Sequence, residues 1–487
     1  MNNISKEIFS EISGSCLFLE SFNSFHMETS SDLAIQLKKK GVEVSFCYIS
    51  RKTPLPDNKI SFYSRNFLSR KKQLNVLHKI LLKYGIEVLK TPQIPSLIYE
   101  NINEYFKSLD INSLEELQSI EYKGMKIGIS VISTMCSIKR TDTLEVRLHK
   151  KEVRKRLITA AIIYERTKIL IKSRNWKYYI YFNGRSVTTY PIKHILRNSY
   201  ENVISREITY QGNKPFTLLS YYGIFDPLRL HYSVEKSCNN ISSDELESNA
   251  FKLMSGSYGI DPYVQSYRKR QSGIKEKIKL EKNKQIISYF NSCEDENMMI
   301  EEKIVHKKFW TQFEAVKTLC ELISTLNNPD QYIYIRLHPN LLNKKWNKLS
   351  EWKSLERFKN VKVFPPKSNI NSQALIKESE IVVTWGSSLT EYSCYLRKPT
   401  IILNDYFYKK IPIASVALKK SDLEDYFNNK QKIYNEYFRE NLLKILAYRK
   451  SEGLPLKFFK YKGTEVIPLK ETQEQIHNKR INGDYFL

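Results

Sequence analysis

The sequence predicts an α/β protein made of two Rossmann-like domains that face a cleft, with additional helices. Residues 331–403 alternate short apolar runs with short helical segments and minimal loops, which is the pattern of parallel strands and their crossover helices. Residues 16–49 contain a second strand–helix–strand unit. The chain has 487 residues, which is too long for one hydrophobic core and suits two α/β domains with a helical tail.

The composition excludes some classes of protein. Hydrophobic residues make up 41% of the chain and aromatic residues 12%, which is ample for packed interiors and argues against global disorder. The formal net charge of +26 would attract anionic partners. Because the basic residues are spread along the chain, solvated lysine-rich faces explain them as well as attraction to an anionic inner-membrane surface does. The net charge is the one feature that would favour a nucleic-acid partner, and no motif supports it, so no nucleic-acid partner is expected.

Neither the cysteines nor the apolar runs indicate an exported or membrane-spanning protein. The seven cysteines lie far apart and show no CxxC pair or Cys/His spacing, so the sequence predicts neither a disulfide framework nor a zinc site. The N-terminus lacks the layout of a signal peptide, and no apolar run approaches the ~20 residues of a spanning helix. We expect a cytoplasmic protein, either free or peripheral at the inner membrane.

Taken in order, the chain first shows a strand–helix–strand unit. CLFLE predicts a strand, SSDLAIQLKKKG predicts a helix that ends at Gly41, and VEVSFCYI predicts the next strand. Residues 21–30, between the first strand and the helix, are predicted as a polar loop. This loop contains His26, a candidate binding residue, although a lone loop histidine is more often only solvated.

Residues 66–175 are predicted to be mostly helical, with one strand at GIEVL, because apolar residues recur at three- and four-residue spacing. The long helix near residue 150 carries basic side chains that would form either a membrane-facing stripe or, as we favour, a solvated face. These side chains are Lys150, Lys151, Arg154, Lys155 and Arg156.

Polar residues then follow two strands at one edge of the N-terminal sheet. KYYIYF leads into Asn183 and Arg185, and ENVISREI carries Glu207 near its end. Ligands bind at the carboxyl edge of open parallel sheets, so Arg185 and Glu207 are expected to line the cleft. An ion pair between these two residues that fixes the loops is an equally good explanation. Asp226, in the segment FDP, is a second carboxylate to consider.

A basic, polar segment separates the two domains. We predict an N-terminal domain with a helical insertion over residues 1–265, a linker over residues 266–283, and a C-terminal domain with a helical tail over residues 284–487. Residues after Leu403 are predicted to be predominantly helical. They would cover the C-terminal domain and can also reach the N-terminal domain.

The first strand of the C-terminal domain, KQIISYF, is followed by three adjacent acids, which are Glu294, Asp295 and Glu296. Adjacent side chains point in different directions, so we interpret them as the start of a solvated helix rather than as a metal site. The next segment, FWTQFEAVKTLCELISTL, predicts a helix with one apolar face.

The stretch 331–403 carries the residues with the most specific chemistry. The strand QYIYIR ends in Arg336 and continues into His338 and Pro339. The strand VKVF leads into Pro366, and the next helix begins at Ser372. All of these loops follow strands, so they should meet at the carboxyl edge of the sheet.

The loop after the strand IVVT predicts an anion site. At Gly386, Ser387 and Ser388, free backbone N–H groups, two hydroxyls and the positive end of a helix dipole converge. His338, from a neighbouring strand end, can donate to the same anion. Glu391 lies one turn into the helix, where it either caps the helix N-terminus or accepts from a ligand hydroxyl, and both interpretations stay open.

The ordered set RLHPN, FPP with SxxL on the following helix, and TWGSSxxEYSxYLRKPTIIL resembles the capsule polysaccharide biosynthesis proteins, which are bacterial glycosyltransferases of the GT-B type. Related Kdo- and sialyltransferases carry a comparable His-Pro motif and serine motif that hold the phosphate of a CMP-sugar. The NGR segment with Glu207, and IISYF running into NSCEDE, extend the resemblance to roughly half the chain.

The resemblance implies sugar transfer from a nucleotide-activated donor to a polysaccharide or lipid-linked acceptor. The favoured donors are CMP-Kdo or a CMP-linked nonulosonic acid, and neither a cofactor nor a metal is implied. The resemblance implies donor-binding roles for Arg336, His338, Pro339, Pro366, Ser372, Gly386, Ser387, Ser388 and Glu391.

The acceptor would lie on the N-terminal side. Asn183, Arg185 and His26 are candidates for binding the acceptor or a carboxylate, and Glu207, with Asp226 as second choice, would be the catalytic carboxylate. Two other functions stay open. One is an alditol-phosphate transferase that uses a CDP-glycerol type of donor, and the other is a non-catalytic component of capsule assembly or export.

Overall fold

A computed structural model of the chain describes residues 3–21, 24–50, 53–54, 66–139, 144–211, 214–223, 226–238, 240–255, 284–293, 310–326, 328–339, 341, 348–368, 370–404, 408–462 and 465–468. The predicted linker and the three adjacent acids at 294–296 lie outside these ranges. The described residues form two domains, each built on a largely parallel sheet, together with additional helices. The prediction of two Rossmann-like domains is confirmed.

The sheet of the N-terminal domain consists of β1 (Ser15–Glu20), β2 (Glu43–Tyr48), β3 (Glu87–Leu89), β4 (Tyr178–Phe182), β5 (Val203–Gln211), β6 (Lys214–Ser220) and a late strand, β13 (Leu454–Pro455). Its order is β13-β6-β5-β4-β1-β2-β3. Strands β1 to β5 pair in parallel, whereas β6 pairs antiparallel with β5 and with β13. The carboxyl ends of β1 to β5 therefore share one edge.

The helices of this part are α1 (Ile4–Glu11), α2 (Ser24–Lys39), α3 (Asn66–Lys83), α4 (Ser96–Ser108), α5 (Leu114–Ser119), α6 (Ile127–Lys139), α7 (Lys150–Ser173), α8 (Tyr190–Ser199), α9 (Pro227–Cys238) and α10 (Ser243–Ser255). The mostly helical stretch at 66–175, with its single strand β3, is confirmed. One prediction was wrong, because α2 begins at Ser24 and His26 therefore lies on a helix rather than in a loop.

The sheet of the C-terminal domain consists of β7 (Gln285–Phe290), β8 (Gln331–Arg336), β9 (Val361–Phe364), β10 (Ile381–Thr384), β11 (Thr400–Ile402) and β12 (Ser415–Val416). Its order is β12-β11-β10-β7-β8-β9, and all pairs are parallel. The chain builds the sheet outward from β7 to β9 and then returns to β10 on the other side of β7. The direction of building thus reverses between β7 and β10.

The helices of this part are α11 (Gln312–Thr325), α12 (Leu349–Lys353), α13 (Ser372–Glu378), α14 (Ser388–Tyr395), α15 (Lys420–Asn428) and α16 (Glu436–Ser451). Helix α11 begins with a reciprocal capping box between Thr311 and Glu314. It buries Val316, Leu319 and Ile323, as its apolar face predicts. Two further strands, β14 (Phe459–Lys462) and β15 (Glu465–Pro468), form a separate hairpin.

Helix α16 connects the C-terminal elements with α9 and α10. Arg439 of α16 forms an ion pair with Glu247 of α10, and Arg229 of α9 donates to the hydroxyl of Tyr448 at 3.0 Å. Apolar residues of all three helices share one buried cluster with Ile402 of β11. Helices α9 and α10 therefore pack with C-terminal elements, although the predicted boundary at residue 265 places them in the N-terminal domain.

The residues after α16 return to the N-terminal domain. Strand β13 adds to its sheet beside β6. The fully buried carboxylate of Asp32, on α2, accepts hydrogen bonds from the backbone N–H groups of Lys457, Phe458 and Phe459 at 2.9, 2.6 and 3.2 Å. The expected contact of the C-terminal tail with the N-terminal domain is confirmed.

The basic residues of α7 make contacts within the protein. Arg156 is fully buried and pairs with Glu152 at 3.1 Å, Lys150 pairs with Asp110 at 2.6 Å, and Arg154 donates to carbonyls at the end of α4. Neither the membrane-facing stripe nor the favoured solvated face is therefore continuous, since these three cations are engaged within the protein. Of the helices within the described residues, none combines the length and the apolar character that a membrane crossing requires.

Candidate functional site

The carboxyl edge of the C-terminal sheet collects the loops that the sequence predicts to bind a ligand. Strand β7 lies between β10 and β8, and the loops after these three strands carry Cys293, Gly386 and His338, respectively. A reversal of strand order, as between β7 and β10, opens a crevice at the carboxyl ends. Neighbouring strands lie about 4.8 Å apart, so the ends of β8 and β10, with β7 between them, are roughly 10 Å apart. A phosphate that is held by one side chain from each of these two ends can bridge this distance.

Helix α14 begins at this edge with two serines in different roles. Ser387 is the N-cap, and its hydroxyl accepts from the N–H of Leu389 at 3.3 Å. The side chain of Ser388 is exposed and makes no hydrogen bond to another described residue. Gly386 has a φ of +95°, a conformation that favours glycine. The turn therefore places the start of the helix, with the exposed side chain of Ser388, at the carboxyl edge of the sheet.

His338 is held in position by the loop after β7. Its backbone N–H donates to Oδ1 of Asn291 at 2.5 Å, and its Nδ1 lies 3.4 Å from Sγ of the buried Cys293. With the thiol as the donor, Nδ1 accepts and the proton of a neutral ring is on Nε2, where it can donate to a ligand. Pro339 follows His338 at the same edge and is half-buried.

Arg336 holds a loop rather than pointing at a ligand. Its side chain is only 2% exposed and donates to the carbonyls of Leu337, Pro365 and Ser368 at 3.0, 2.6 and 3.0 Å. These contacts fix the loop after β9, which includes the buried Pro366. The structure thus corrects the prediction that Arg336 contacts the donor directly.

Ser372 is the first residue of α13. The N-cap of this helix is Asn371, whose side chain accepts from the N–H groups of Gln373 and Ala374 at 2.9 and 3.2 Å. Helix α13 packs beside α14, and both follow strands of the same parallel sheet. Ser372 and Ser388 therefore lie at the starts of two neighbouring helices at one edge.

Glu391 is an internal anchor, and neither sequence-based interpretation of it holds. It is 3% exposed and accepts hydrogen bonds from the hydroxyl of Tyr408 at 2.6 Å and from Arg449 at 2.5 Å. Burial raises the pKa of Tyr408 well above its ordinary value, so this hydroxyl stays a donor. Glu391 therefore ties α14 to α16, which leaves it unsuited to accept from a sugar hydroxyl.

A cavity of about 500 Å³ lies beside the start of α14, on its β11 side, and Gly386 and Asn404 both line it. Asn404 follows β11, is 2% exposed, and has no hydrogen-bond partner among the described residues for either atom of its amide. A buried polar atom without a partner costs about 1–3 kcal/mol. Asn404 is therefore suited to pair with a ligand. Asn404 is not among the candidates expected from the sequence, although its position directly after a strand is the same feature that indicated His338.

On the N-terminal side, the structure brings Asn183 and Glu207 together. Nδ2 of Asn183 donates to Oε2 of Glu207 at 2.8 Å. The turn that allows this contact has positive φ at Asn183 (+56°) and Gly184 (+82°). A Cβ on Gly184 would lie 2.7 Å from Cε2 of Tyr181, so the turn requires glycine.

The side chain of Glu207 is half-buried. Burial raises the pKa of its carboxyl above the ordinary glutamate value, and the N–H of Ile208, the amide of Asn183 and the charges of Arg206 and Arg185 oppose this rise. Arg185 thus acts on Glu207 through its charge, while a hydrogen bond to the carboxylate comes from Asn183.

His26 is half-buried and packs against Phe182 of β4 and Arg206 of β5. Its ring stacks on Phe182 with the centroids 3.8 Å apart, and its carbonyl accepts from Arg206 at 2.9 Å. Arg206 is itself fully buried and pairs with Glu20 at 2.9 Å. Burial lowers the pKa of His26 to about 3, and the charge of Arg206 acts in the same direction. His26 is therefore neutral near pH 7, and a role in acceptor binding stays a prediction.

Asp226 lies away from the carboxyl edge of the N-terminal sheet. Strand β6 runs antiparallel to β5, with Ser220 opposite Ser205, so the chain has returned toward the amino edge before it reaches Asp226. Oδ1 of Asp226 accepts from the N–H of Leu228 at 2.9 Å and thereby caps α9. Asp226 therefore lies apart from Asn183 and Glu207, and a catalytic role for either carboxylate stays a prediction.

Potential metal ligands and thiols add no further site. Within the described ranges, no group of three or more His, Cys, Asp or Glu side chains is placed to hold a metal ion. The seven cysteines are all buried and none forms a disulfide.

No family model matches the chain, and no curated protein matches it as a sequence. As a structure, it is similar to KpsC, a β-Kdo 2,7-transferase of Thermosulfurimonas dismutans, at 13% identity over 64% of this chain and 87% of that one, with a TM-score of 0.34. It is also similar to UDP-GlcNAc 2-epimerase of Neisseria meningitidis bound to UDP-GlcNAc, at 13% identity over 90% and 97%, with a TM-score of 0.31. A third similar structure is CalG4, the calicheamicin glycosyltransferase, at 10% identity over 90% and 94%, with a TM-score of 0.27. At these identities and TM-scores, none of the three structures assigns a function to this chain.

Proposed function

We propose that the protein is a glycosyltransferase that uses a nucleotide-activated sugar, with CMP-Kdo or a CMP-linked nonulosonate as the favoured donor class. The observation that carries the proposal is the arrangement at the reversal between β7 and β10. There, His338, oriented by Asn291 and Cys293, lies at the same edge as the start of α14. A helix N-terminus with an exposed serine suits a phosphate group. The motif resemblance to capsule polysaccharide glycosyltransferases supports a nucleotide-sugar as the molecule that carries this phosphate.

In this scheme the bond between the anomeric carbon and a phosphate oxygen breaks, and a bond from that carbon to the acceptor oxygen forms. Negative charge grows on the leaving phosphate, so the positive end of the α14 dipole, the Ser388 hydroxyl and His338 stabilise the transition state more than the ground state. Glu207, with its raised pKa, takes the proton of the acceptor hydroxyl or acts as the nucleophile of a retaining mechanism. Asn183 orients the carboxylate. These groups can carry the reaction without a metal.

The acceptor in this proposal is a polysaccharide or a lipid-linked sugar, bound on the N-terminal side near Asn183 and Arg185. An acceptor in the membrane would place the protein at the inner-membrane surface. Lys151 and Lys155 are the exposed members of the basic set on α7, and they would contribute to attraction by anionic lipids.

A thermal-shift screen with CMP, CDP, UDP and GDP tests the proposal. A nucleotide at a hundredfold excess over its dissociation constant stabilises the folded state by about 2.7 kcal/mol, and we expect this shift with CMP. Transfer from CMP-Kdo and a CMP-nonulosonate to capsule oligosaccharides is then measured, with CDP-glycerol in parallel. A response to UDP without one to CMP would overturn the donor class. Transfer from CDP-glycerol alone would establish the alditol-phosphate alternative, and cytidine binding without any transfer would favour a non-catalytic component.

A further inference from the structure

The cavity beside α14 is lined largely by apolar and aromatic groups. Tyr408 donates its hydroxyl to Glu391 at 2.6 Å, and Tyr426 donates its hydroxyl to the carbonyl of Val416 at 3.2 Å. Because both hydroxyls are engaged elsewhere, the two tyrosines contribute mainly ring atoms to the cavity. Further apolar lining comes from Ile402, Pro412, Ala414, Val416 and Leu418. Such a lining suits a flat aromatic ligand.

The carboxylates that line the cavity already have partners. Asp422 accepts from the N–H groups of Leu418 and Lys419 at 2.9 and 3.2 Å. Asp425 pairs with Lys432 at 2.8 Å. In contrast, both amide atoms of Asn404 lack a partner among the described residues. Asn404 is therefore a buried polar group of the lining whose amide can select a ligand by hydrogen bonding.

We propose that this cavity binds the base of the donor nucleotide and that the amide of Asn404 recognises the hydrogen-bonding edge of that base. This inference rests on the proposed function. Gly386 supports it, because it lines the cavity and also forms the turn into α14. A phosphate at α14 and a ring in the cavity can therefore belong to one nucleotide. The cavity of about 500 Å³ lies within the usual range for small-molecule sites.

An amide can pair with the hydrogen-bonding edge of any base, because its donor and acceptor can exchange places, and cytosine is the base of the proposed donor class. Asn404 presents one donor and one acceptor side by side, which is complementary to the adjacent N3 and 4-amino group of cytosine. The carboxylate of an Asn404→Asp variant would present two acceptors instead. It would repel N3 of cytosine, and it would accept from the N1–H and 2-amino groups of guanine.

Calorimetric titration of wild type, N404D and N404A with CMP, GMP and ribose 5-phosphate tests the inference. We expect N404D to bind CMP about tenfold more weakly or worse, with the affinity for GMP kept or increased, so that the preference for CMP over GMP falls. N404A should lose CMP affinity without gaining GMP affinity. Ribose 5-phosphate, which has no base, should bind all three proteins alike. The matched control is Asn428→Ala, an exposed asparagine of α15 that does not line the cavity, which should leave every affinity unchanged.

The outcomes separate this inference from the proposed function. If wild type binds none of the nucleotides, the proposed function fails and this inference fails with it. If wild type binds CMP while N404D and N404A keep its affinity and its base preference, the base site is wrong and the proposed function stands. Should the Asn404 variants fail to fold, Leu418→Trp, at a half-buried wall position, takes their place. It narrows the cavity and should weaken CMP but not ribose 5-phosphate, and an unchanged CMP affinity would overturn the base site.

Discussion

Replacing His338 or Ser388 by alanine should reduce turnover far more than stability. Ser388 is exposed and its hydroxyl has no partner among the described residues. In His338→Ala, the backbone N–H of residue 338 can still donate to Asn291. This variant loses the contact of the ring with Cys293 at 3.4 Å. We therefore expect each variant to change the free energy of unfolding by less than about 1 kcal/mol.

The effect on rate follows from the charge on the leaving phosphate. Deleting one donor to a group that becomes negative in the transition state costs about 3 kcal/mol, or roughly 100- to 1,000-fold in turnover. Because His338 and Ser388 would act on the same phosphate, the double variant should lose less than the sum of the single losses. The affinity for CMP should fall by a smaller factor than turnover, since the charge on the phosphate is lower in the ground state.

The neighbouring serine provides the matched control. Ser387 caps α14 through Leu389, so Ser387→Ala should cost about 1 kcal/mol of stability. Melting temperature, CMP affinity and transfer rate are measured on wild type, the three single variants and the double variant. If the His338 and Ser388 variants melt earlier, as the Ser387 variant should, and keep normal CMP affinity and turnover, both residues only brace their loops and the phosphate assignment is refuted.

Further predictions concern the N-terminal domain. Glu207→Gln should abolish transfer and leave CMP affinity almost unchanged, and wild-type turnover in this variant would remove Glu207 as the base. In the wild type, the raised pKa of Glu207 should place the acid limb of the kcat/KM profile above the ordinary glutamate range. Asp32→Ala should lower the free energy of unfolding by about 2–4 kcal/mol, because the N–H groups of residues 457–459 lose a buried acceptor, whereas the exposed Asp425→Ala should hardly move the melting temperature. The pKa of His26 is lowered to about 3 in the folded protein. The contribution of this neutral ring to stability is therefore complete above about pH 6.5 and is lost as the pH falls toward 3. An NMR titration midpoint of the His26 ring near 6.5 would contradict the packing of the ring against Phe182 and Arg206.

The sheet of the C-terminal domain was predictable because its information is local. Strands β7 to β11 are short apolar runs separated by turns and capped helices, and each contributes its own periodicity to the sequence. Parallel pairing then places every loop after a strand at one edge. This rule alone brought His338 and Ser388 to the same region, and it would also have indicated Asn404.

The features that could not be predicted are polar contacts between residues that lie far apart in the sequence. Glu391 looked like a helix cap or a ligand contact, but its partner Arg449 lies 58 residues further along the chain. The polar start of α2 looked like a loop because its buried partners, which include Arg206 and Glu20, come from two other strands. A local pattern cannot show which distant group satisfies a polar side chain, and the same limit left Arg336 as a donor-binding candidate.

The return of the chain to β13 has a consequence for how the protein is made. Strand β6 stays an unpaired edge, and Asp32 lacks the N–H groups of residues 457–459, until the C-terminal sheet and α16 have been synthesised. At about 5–20 residues per second, this interval lasts on the order of ten seconds or longer on the ribosome. An exposed strand edge can pair with other chains during that time. The domain that emerges first from the ribosome is thus the last to be completed.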